Sequence, residues 1–334
     1  MNSRTSFRIG DKLPLTLEDE YSDEQARSEQ ADSYSIIGAS VRGRLHHHNN
    51  IPRDDAFAVR FDGTWLAVAV ADGAGSRPRS RYGASYLTNR LCSRLLLAAR
   101  IRHWRTSNKA SEKETPISGI GGTQLVPLSE GTQSLFRDTE LSSEPIDTSK
   151  SNLQDIVLRA FRNTRADLER FAFKHGVELD ELHSTLLGLM LNTKTGEVGV
   201  GQIGDGLILG LDDKKEARLL AEPPTTDDPG ASYFITQEDW EQYLYTREMP
   251  SEEVERFSTF YLMTDGVAND CQYSPPPDIL KIWANDMDRE IRLVPSLQIT
   301  AERLKNYLAN YKAKGSFDDR TLVVIYRNNE ERAT

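Results

Sequence analysis

The chain has 334 residues, 38% of them hydrophobic and 28% charged, with a formal net charge of −10. That length buries one large core or two modest ones, and the acidic balance argues against nucleic-acid binding by bulk charge, because a phosphate backbone repels it. No apolar run reaches the length of a bilayer span, so neither a transmembrane helix nor a membrane partner is expected.

The first 33 residues are mostly polar and lack the apolar core of a secretory signal. They read as a disordered or loosely docked tail, with order beginning near Tyr34. Asp55 to Phe61 alternates and ends at the turn signal DGTW, and Trp65 to Ala71 reads as its hairpin partner. Gly83 to Arg100 carries Leu87, Leu91, Leu95 and Ala98 at helical spacing. Residues 106–151 are rich in Ser, Thr, Gly, Pro and Glu and read as a disordered insertion. Leu153 to His175 is a second amphipathic helix.

Thr185 to Leu191 follows as a buried strand, then two short strands around Gly204-Asp205-Gly206, then another in EARLLAEPP. An apolar strand from Phe260 to Met263 ends at Asp265-Gly266. Helical segments near Pro277 to Trp283 and Leu297 to Tyr311 precede a last strand, Thr321 to Tyr326, and a short tail from residue 329. Strands outnumber helices, which predicts an α+β layered fold of antiparallel sheets covered by helices. Cys92 and Cys271 lie far apart and match neither a disulfide framework nor a zinc spacing. They read as reduced thiols of a cytoplasmic protein.

The polar interruptions share a pattern. Arg53-Asp54-Asp55 precedes the first hairpin strand, and Asp72-Gly73 ends the second. Asp205 sits between glycines, Asp265-Gly266 follows YLMT, and Asp318-Asp319 precedes the last strand. One Asp at a strand end is usually a turn or cap residue. Several at converging strand ends form a self-repelling cluster whose desolvation cost a divalent cation relieves. Hard oxygen donors without His or Cys favour Mg²⁺ or Mn²⁺ over zinc.

The stretches RDDAFAV, ADGAGS, STLLGLML with GQIGDG, YLMTDGVAND and GSFDDRTLVVIY occur in an order that resembles the metal-dependent protein phosphatases, the type 2C Ser/Thr family, in a bacterial-like subgroup. The resemblance spans roughly Ser35 to Arg327 apart from the insertion. It implies a four-layer α-β-β-α sandwich of two antiparallel sheets flanked by helices, with two Mg²⁺ or Mn²⁺ ions at one end. It implies that Asp72 bridges both ions, that the Gly73 carbonyl helps hold one, that Asp265 and Asp318 complete one ion, and that Asp55 serves the other. Asp54 is the adjacent candidate, and the choice between the two stays open. Asp205 would line a weak third site, weakened because Asn269 stands where the family has Asp. Catalysis by Asp55, Asp72, Asp265 and Asp318 is then hydrolysis of a phosphate ester by activated water.

The family's phosphate-binding Arg falls at Asn50, a departure. His46, then Arg44, are the candidate substitutes, with His47 and His48 behind them; His183, Ser184 and Thr185 are candidates to pack nearby. The implied partner is a Ser/Thr-phosphorylated protein, with a cognate kinase among the possibilities and a monomer as the expected state. Three rivals stand beside this reading. They are a catalytically impaired relative that binds a phosphoprotein or partner, a hydrolase of small phosphoesters, and a non-enzymatic anion-binding turn at DGAGS. The last lacks the Gly-Lys-Ser/Thr of a phosphate loop.

Overall fold

The computed structural model describes residues 22–112, 152–222, 232–272, 278–310 and 317–328. Most of the 106–151 insertion, the first 21 residues and the last six lie outside the described residues. By itself, Arg100–Ser151 is a separate unit, described only as the end of one helix, and the rest of the chain is a second unit.

Eleven described strands build two antiparallel sheets. The six-stranded sheet has the order β1 (Glu24–Ala31), β2 (Tyr34–Val41), β11 (Arg320–Arg327), β10 (Phe257–Met263), β7 (Leu207–Asp212), β8 (Ala217–Leu219). The five-stranded sheet runs β3 (Ala56–Phe61), β4 (Trp65–Ala71), β5 (Leu186–Asn192), β6 (Val198–Ile203), β9 (Tyr245–Met249). The helices are α1 (Arg44–His48), α2 (Ser80–Glu112), α3 (Leu153–His175), α4 (Ser251–Val254), α5 (Asp265–Gln272), α6 (Ile279–Arg292) and α7 (Leu297–Asn310).

Strand alternation divides the interior into three apolar layers. On β4, Leu66, Val68 and Val70 face the second sheet, where they join Ile36, Phe260, Leu262, Val323 and Ile325. The intervening Ala67, Ala69 and Ala71 face Leu87, Leu91 and Leu95 of α2 and Phe161 of α3. Small alanines there let two helices lie close to the sheet. On the other side, Ile37, Ala39, Tyr261 and Val324 pack against Ala284, Met287 and Ile291 of α6 and Leu304 and Leu308 of α7. The expected α-β-β-α sandwich is the observed fold.

Several boundaries differ from expectation. Among the described residues the first element is β1, ahead of the Tyr34 start expected for order, and it pairs residue by residue with β2 from Glu24 opposite Val41 to Ala31 opposite Tyr34. Its sequence EQARSEQA buries only Ala31, as befits an edge strand, so no apolar alternation announces it. Helix α2 runs past Arg100 into the stretch read as insertion. Among the described residues β9, α1, α4 and α5 have no counterpart in the sequence reading; all are short, and β9 is half-buried at a sheet edge.

Candidate active site

Strand register brings the acidic residues to one end of the sandwich. Ala56 pairs with Ala71, so Asp55 and Asp72 stand opposite one another just beyond the last pair of β3 and β4. Val70 pairs with Leu187, which sets Thr185 beside Asp72. Their backbones bond at 2.8 Å, and Thr185 Oγ1 lies 2.9 Å from the Asp72 N–H. In the other sheet Met263 pairs with both Leu322 and Leu207, so Asp265 emerges between the ends of β11 and β7, near Asp318 and Asp205. Gly73 bridges to Ser184, closing the same end.

The carboxyls there act on each other. Burial, then the charges of Asp265, Asp55, Asp318 and Asp205, push Asp72 well above the usual carboxylate range. Burial, then the charge of Asp319, does the same to Asp55. Asp265 is pushed up to about 7 by burial and by the charges of Asp205 and Asp318. Burial also raises Asp318 and Asp205. The six predicted acids thus gather, and five of them form one mutually repelling group.

Asp54 and Asp55 part company. Asp54 is pushed up to about 7 by burial, opposed by His46, with Ser80 and Arg81 close by. Asp55 is 1% exposed. Its Oδ2 accepts from Thr264 Oγ1 at 2.8 Å and Thr321 Oγ1 at 2.7 Å, while its buried Oδ1 has no protein hydrogen-bond partner.

Asp319, noted in the sequence beside Asp318 but assigned no role there, ties the site's segments together. Its Oδ1 accepts from the Gly43 N–H at 2.6 Å, and its Oδ2 accepts from the Asp54 N–H at 2.5 Å. His46 Nδ1 stands 3.0 Å from Oδ1. That contact holds the His46 imidazole up at about 9, against the opposing effect of burial. His46 is therefore buried under the turn, with Nε2 3.3 Å from where a Cβ on Gly75 would sit. Arg44 is exposed, its guanidinium carbon 5.8 Å from the centre of the Phe317 ring. His47 and His48 face solvent.

His183 bonds Thr236 through Nδ1 at 2.7 Å and stacks on Phe234, while its carbonyl accepts from the Ala74 N–H at 3.0 Å. Asn269 donates to Asp265 at 3.3 Å. The side chains of Asp270 and Cys271 lie outside the described residues. The supports to which sequence reading gave no role are Asp319, Thr264 and Thr321. The one available signal was a Thr next to the acid in MTDG and two residues after it in DDRT.

Donor chemistry fits a divalent cation: only hard oxygens converge, from buried Asp55 through half-buried Asp72, Asp205 and Asp265 to exposed Asp318, and one oxygen of Asp55 lacks a partner. Among the described residues, no three His, Cys, Asp or Glu side chains already stand in positions to hold a metal ion. Gly73 serves packing, since a Cβ there would lie 2.9 Å from the Asp54 carbonyl oxygen and from the Ser80 carbonyl carbon.

A family model described as Protein phosphatase 2C matches residues 42–314. A search of curated proteins finds no match. Among solved structures, a serine-threonine phosphatase 2C from Toxoplasma gondii matches with a TM-score of 0.54 at 11% identity, covering 91% of this chain and 98% of that one. A C. elegans sex-determining protein matches with a TM-score of 0.54 at 12% identity, covering 90% of this chain and 66% of its own. RsbX in complex with magnesium matches with a TM-score of 0.45 at 12% identity, covering 90% and 99%. At such identities the first two likenesses speak for the fold.

Proposed function

The chain belongs to the protein phosphatase 2C family, and we propose that it is a metal-dependent phosphatase acting on phosphoserine or phosphothreonine of a protein substrate. Family membership supports phosphatase chemistry. The observation that carries the finer reading is the gathering of Asp55, Asp72, Asp205, Asp265 and Asp318 at one sandwich end, each carboxyl raised first of all by burial. A fold that keeps such a cluster needs a counter-charge, and oxygen donors alone select Mg²⁺ or Mn²⁺.

Two such ions, when bound, supply an acidified water and offset charge on the phosphoryl oxygens. In our reading Asp72 would serve both, Asp265 and Asp318 would complete one, Asp55 would serve the other, and the Gly73 carbonyl would help hold one of them. Asp54, turned toward Ser80 and His46, sits behind, and Asp205 serves a weak third position. Buried His46 shapes the floor under the Gly75 turn, and exposed Arg44 is the better placed of the two to meet a phosphate arriving from solvent. The enzyme acts as a cytoplasmic monomer, and a cognate kinase is one candidate substrate.

A second reading, a catalytically impaired relative that binds a phosphoprotein, draws on Asn50 and Asn269 standing where the family has Arg and Asp. Hydrolysis of p-nitrophenyl phosphate and of a phosphothreonine peptide separates the two. We expect turnover with Mn²⁺ or Mg²⁺, none with chelator, and a loss of at least about a hundredfold in Asp265→Asn, in line with removal of a group that stabilises transition-state charge. A folded wild type that is silent with every metal would favour the impaired relative.

A further inference from the structure

Three neighbouring strands end their inward-facing rows in the same way. On β2 the row runs Ile36, Gly38, Ser40; on β11 it runs Ile325, Val323, Thr321; on β10 it runs Phe260, Leu262 and, one step past the strand, Thr264. The apolar members fill the layer between the sheets. Where the rows reach the carboxylate end, all three switch to a hydroxyl. Ser40, Thr264, Thr321 and Asp55 are each no more than 1% exposed.

The hydrogens of these hydroxyls are committed. Thr264 Oγ1 accepts from the Thr321 N–H at 3.0 Å and donates to Asp55 Oδ2 at 2.8 Å. Thr321 Oγ1 donates to the same oxygen at 2.7 Å. Its one proton is thereby used, so in the 2.6 Å contact between Ser40 and Thr321 it is Ser40 that donates. Register fixes this last pair, because Thr321 lies directly opposite Ser40. Two donors on Oδ2 set the carboxylate's rotation and leave Oδ1 buried and without a protein hydrogen-bond partner, on a residue that stands opposite Asp72.

We propose that Ser40, Thr321 and Thr264 are positioning residues that hold Asp55 by Oδ2 so that Oδ1 alone is offered to a divalent cation. This rests on the metal-binding part of the function proposed above, and it selects Asp55 over Asp54 as the direct ligand. Donors that grip a metal ligand from behind tune metal affinity by about 10- to 100-fold. A purely structural role for the hydroxyls would lower stability and leave affinity alone.

The test is calorimetric titration of the full chain with Mn²⁺ alone, run beside urea unfolding of the chelated protein. Thr321→Val is expected to raise the Mn²⁺ dissociation constant by about 10-fold or more, with Thr321→Ser returning it to within about 3-fold of wild type. Ser40→Ala, which acts only through Thr321, is expected to weaken binding by about 3-fold, and it decides the matter if Thr321→Val does not fold. Wild-type affinity in a folded Thr321→Val, or in Ser40→Ala should Thr321→Val not fold, overturns the proposal, as does a wild type that binds no Mn²⁺. Metal binding that depends on Thr321 in a protein with no phosphatase turnover would uphold the clamp and sink the phosphatase reading.

Discussion

His46 Nδ1 lies 3.0 Å from Asp319 Oδ1, and both side chains are almost sealed from water. The pair joins α1 to the loop before β11, beneath the turn that carries Asp72. Breaking a buried pair by removing one partner strands the other charge, which costs more than the pair contributes.

The pair predicts a pH dependence. The close contact with Asp319, helped by the charges of Asp319, Asp54 and Asp318 and opposed by burial, raises His46 from 6.5 to about 9. A folded-state value above the unfolded one means the contribution is fully present below pH 6.5 and is lost as pH rises through about 9. His46→Gln should therefore cost the chelated protein roughly 2–3 kcal/mol at pH 6 and much less at pH 9.5, since each tenfold gain in proton affinity is worth about 1.4 kcal/mol. Urea unfolding of both proteins at the two pH values measures it. An equal penalty at both would mean that His46 is neutral when folded.

A second prediction concerns Gly266. Built onto that residue, a Cβ would fall 1.9 Å from the backbone oxygen of Asp319. No side-chain rotation relieves a clash with backbone, so the start of α5 or the loop before β11 must move, taking Asp265 or Asp318 along. Gly266→Ala is expected to destabilise by about 3 kcal/mol, the upper end of ordinary overpacking. It should also lower metal-dependent turnover in whatever fraction stays folded. A melting temperature within a degree or two of wild type would show that the two loops are not packed as described.

Much of this was legible in the chain, for a physical reason. Trp65 to Ala71 is a seven-residue buried run, and a run like that can end at Asp72 only where a strand leaves the core. The same logic located Asp265 after YLM and Asp205 between β6 and β7. What stayed hidden carries no hydrophobic contrast. β1 is an edge strand with one buried residue, and α1 is a single turn whose only buried side chain is His46. Asp319 was noted beside Asp318 but given no role, because its work is to accept backbone N–H groups and nothing in Asp-Asp says how the two divide the work. The hydroxyls under Asp55 read as ordinary strand threonines until register brought three strand ends together.

Metal removal supplies the last prediction. Asp72 feels the charges of Asp265, Asp55, Asp318 and Asp205 at the same end of the sandwich. Without a counter-charge the fold bears the cost of bringing these groups together. A cation that binds only the folded chain stabilises it by mass action, about 2.7 kcal/mol at one hundred times the dissociation constant. Chelated protein should therefore melt several degrees lower than protein in millimolar Mn²⁺, as a thermal scan would read. Asp72→Asn should narrow that gap, because the mutant gathers less negative charge and holds the ion less well. Monovalent salt at matched ionic strength should not reproduce the gain, since screening acts weakly on buried groups. If sodium chloride matched Mn²⁺, the stabilisation would be a general charge effect and the carboxylate end would not be a divalent-cation site.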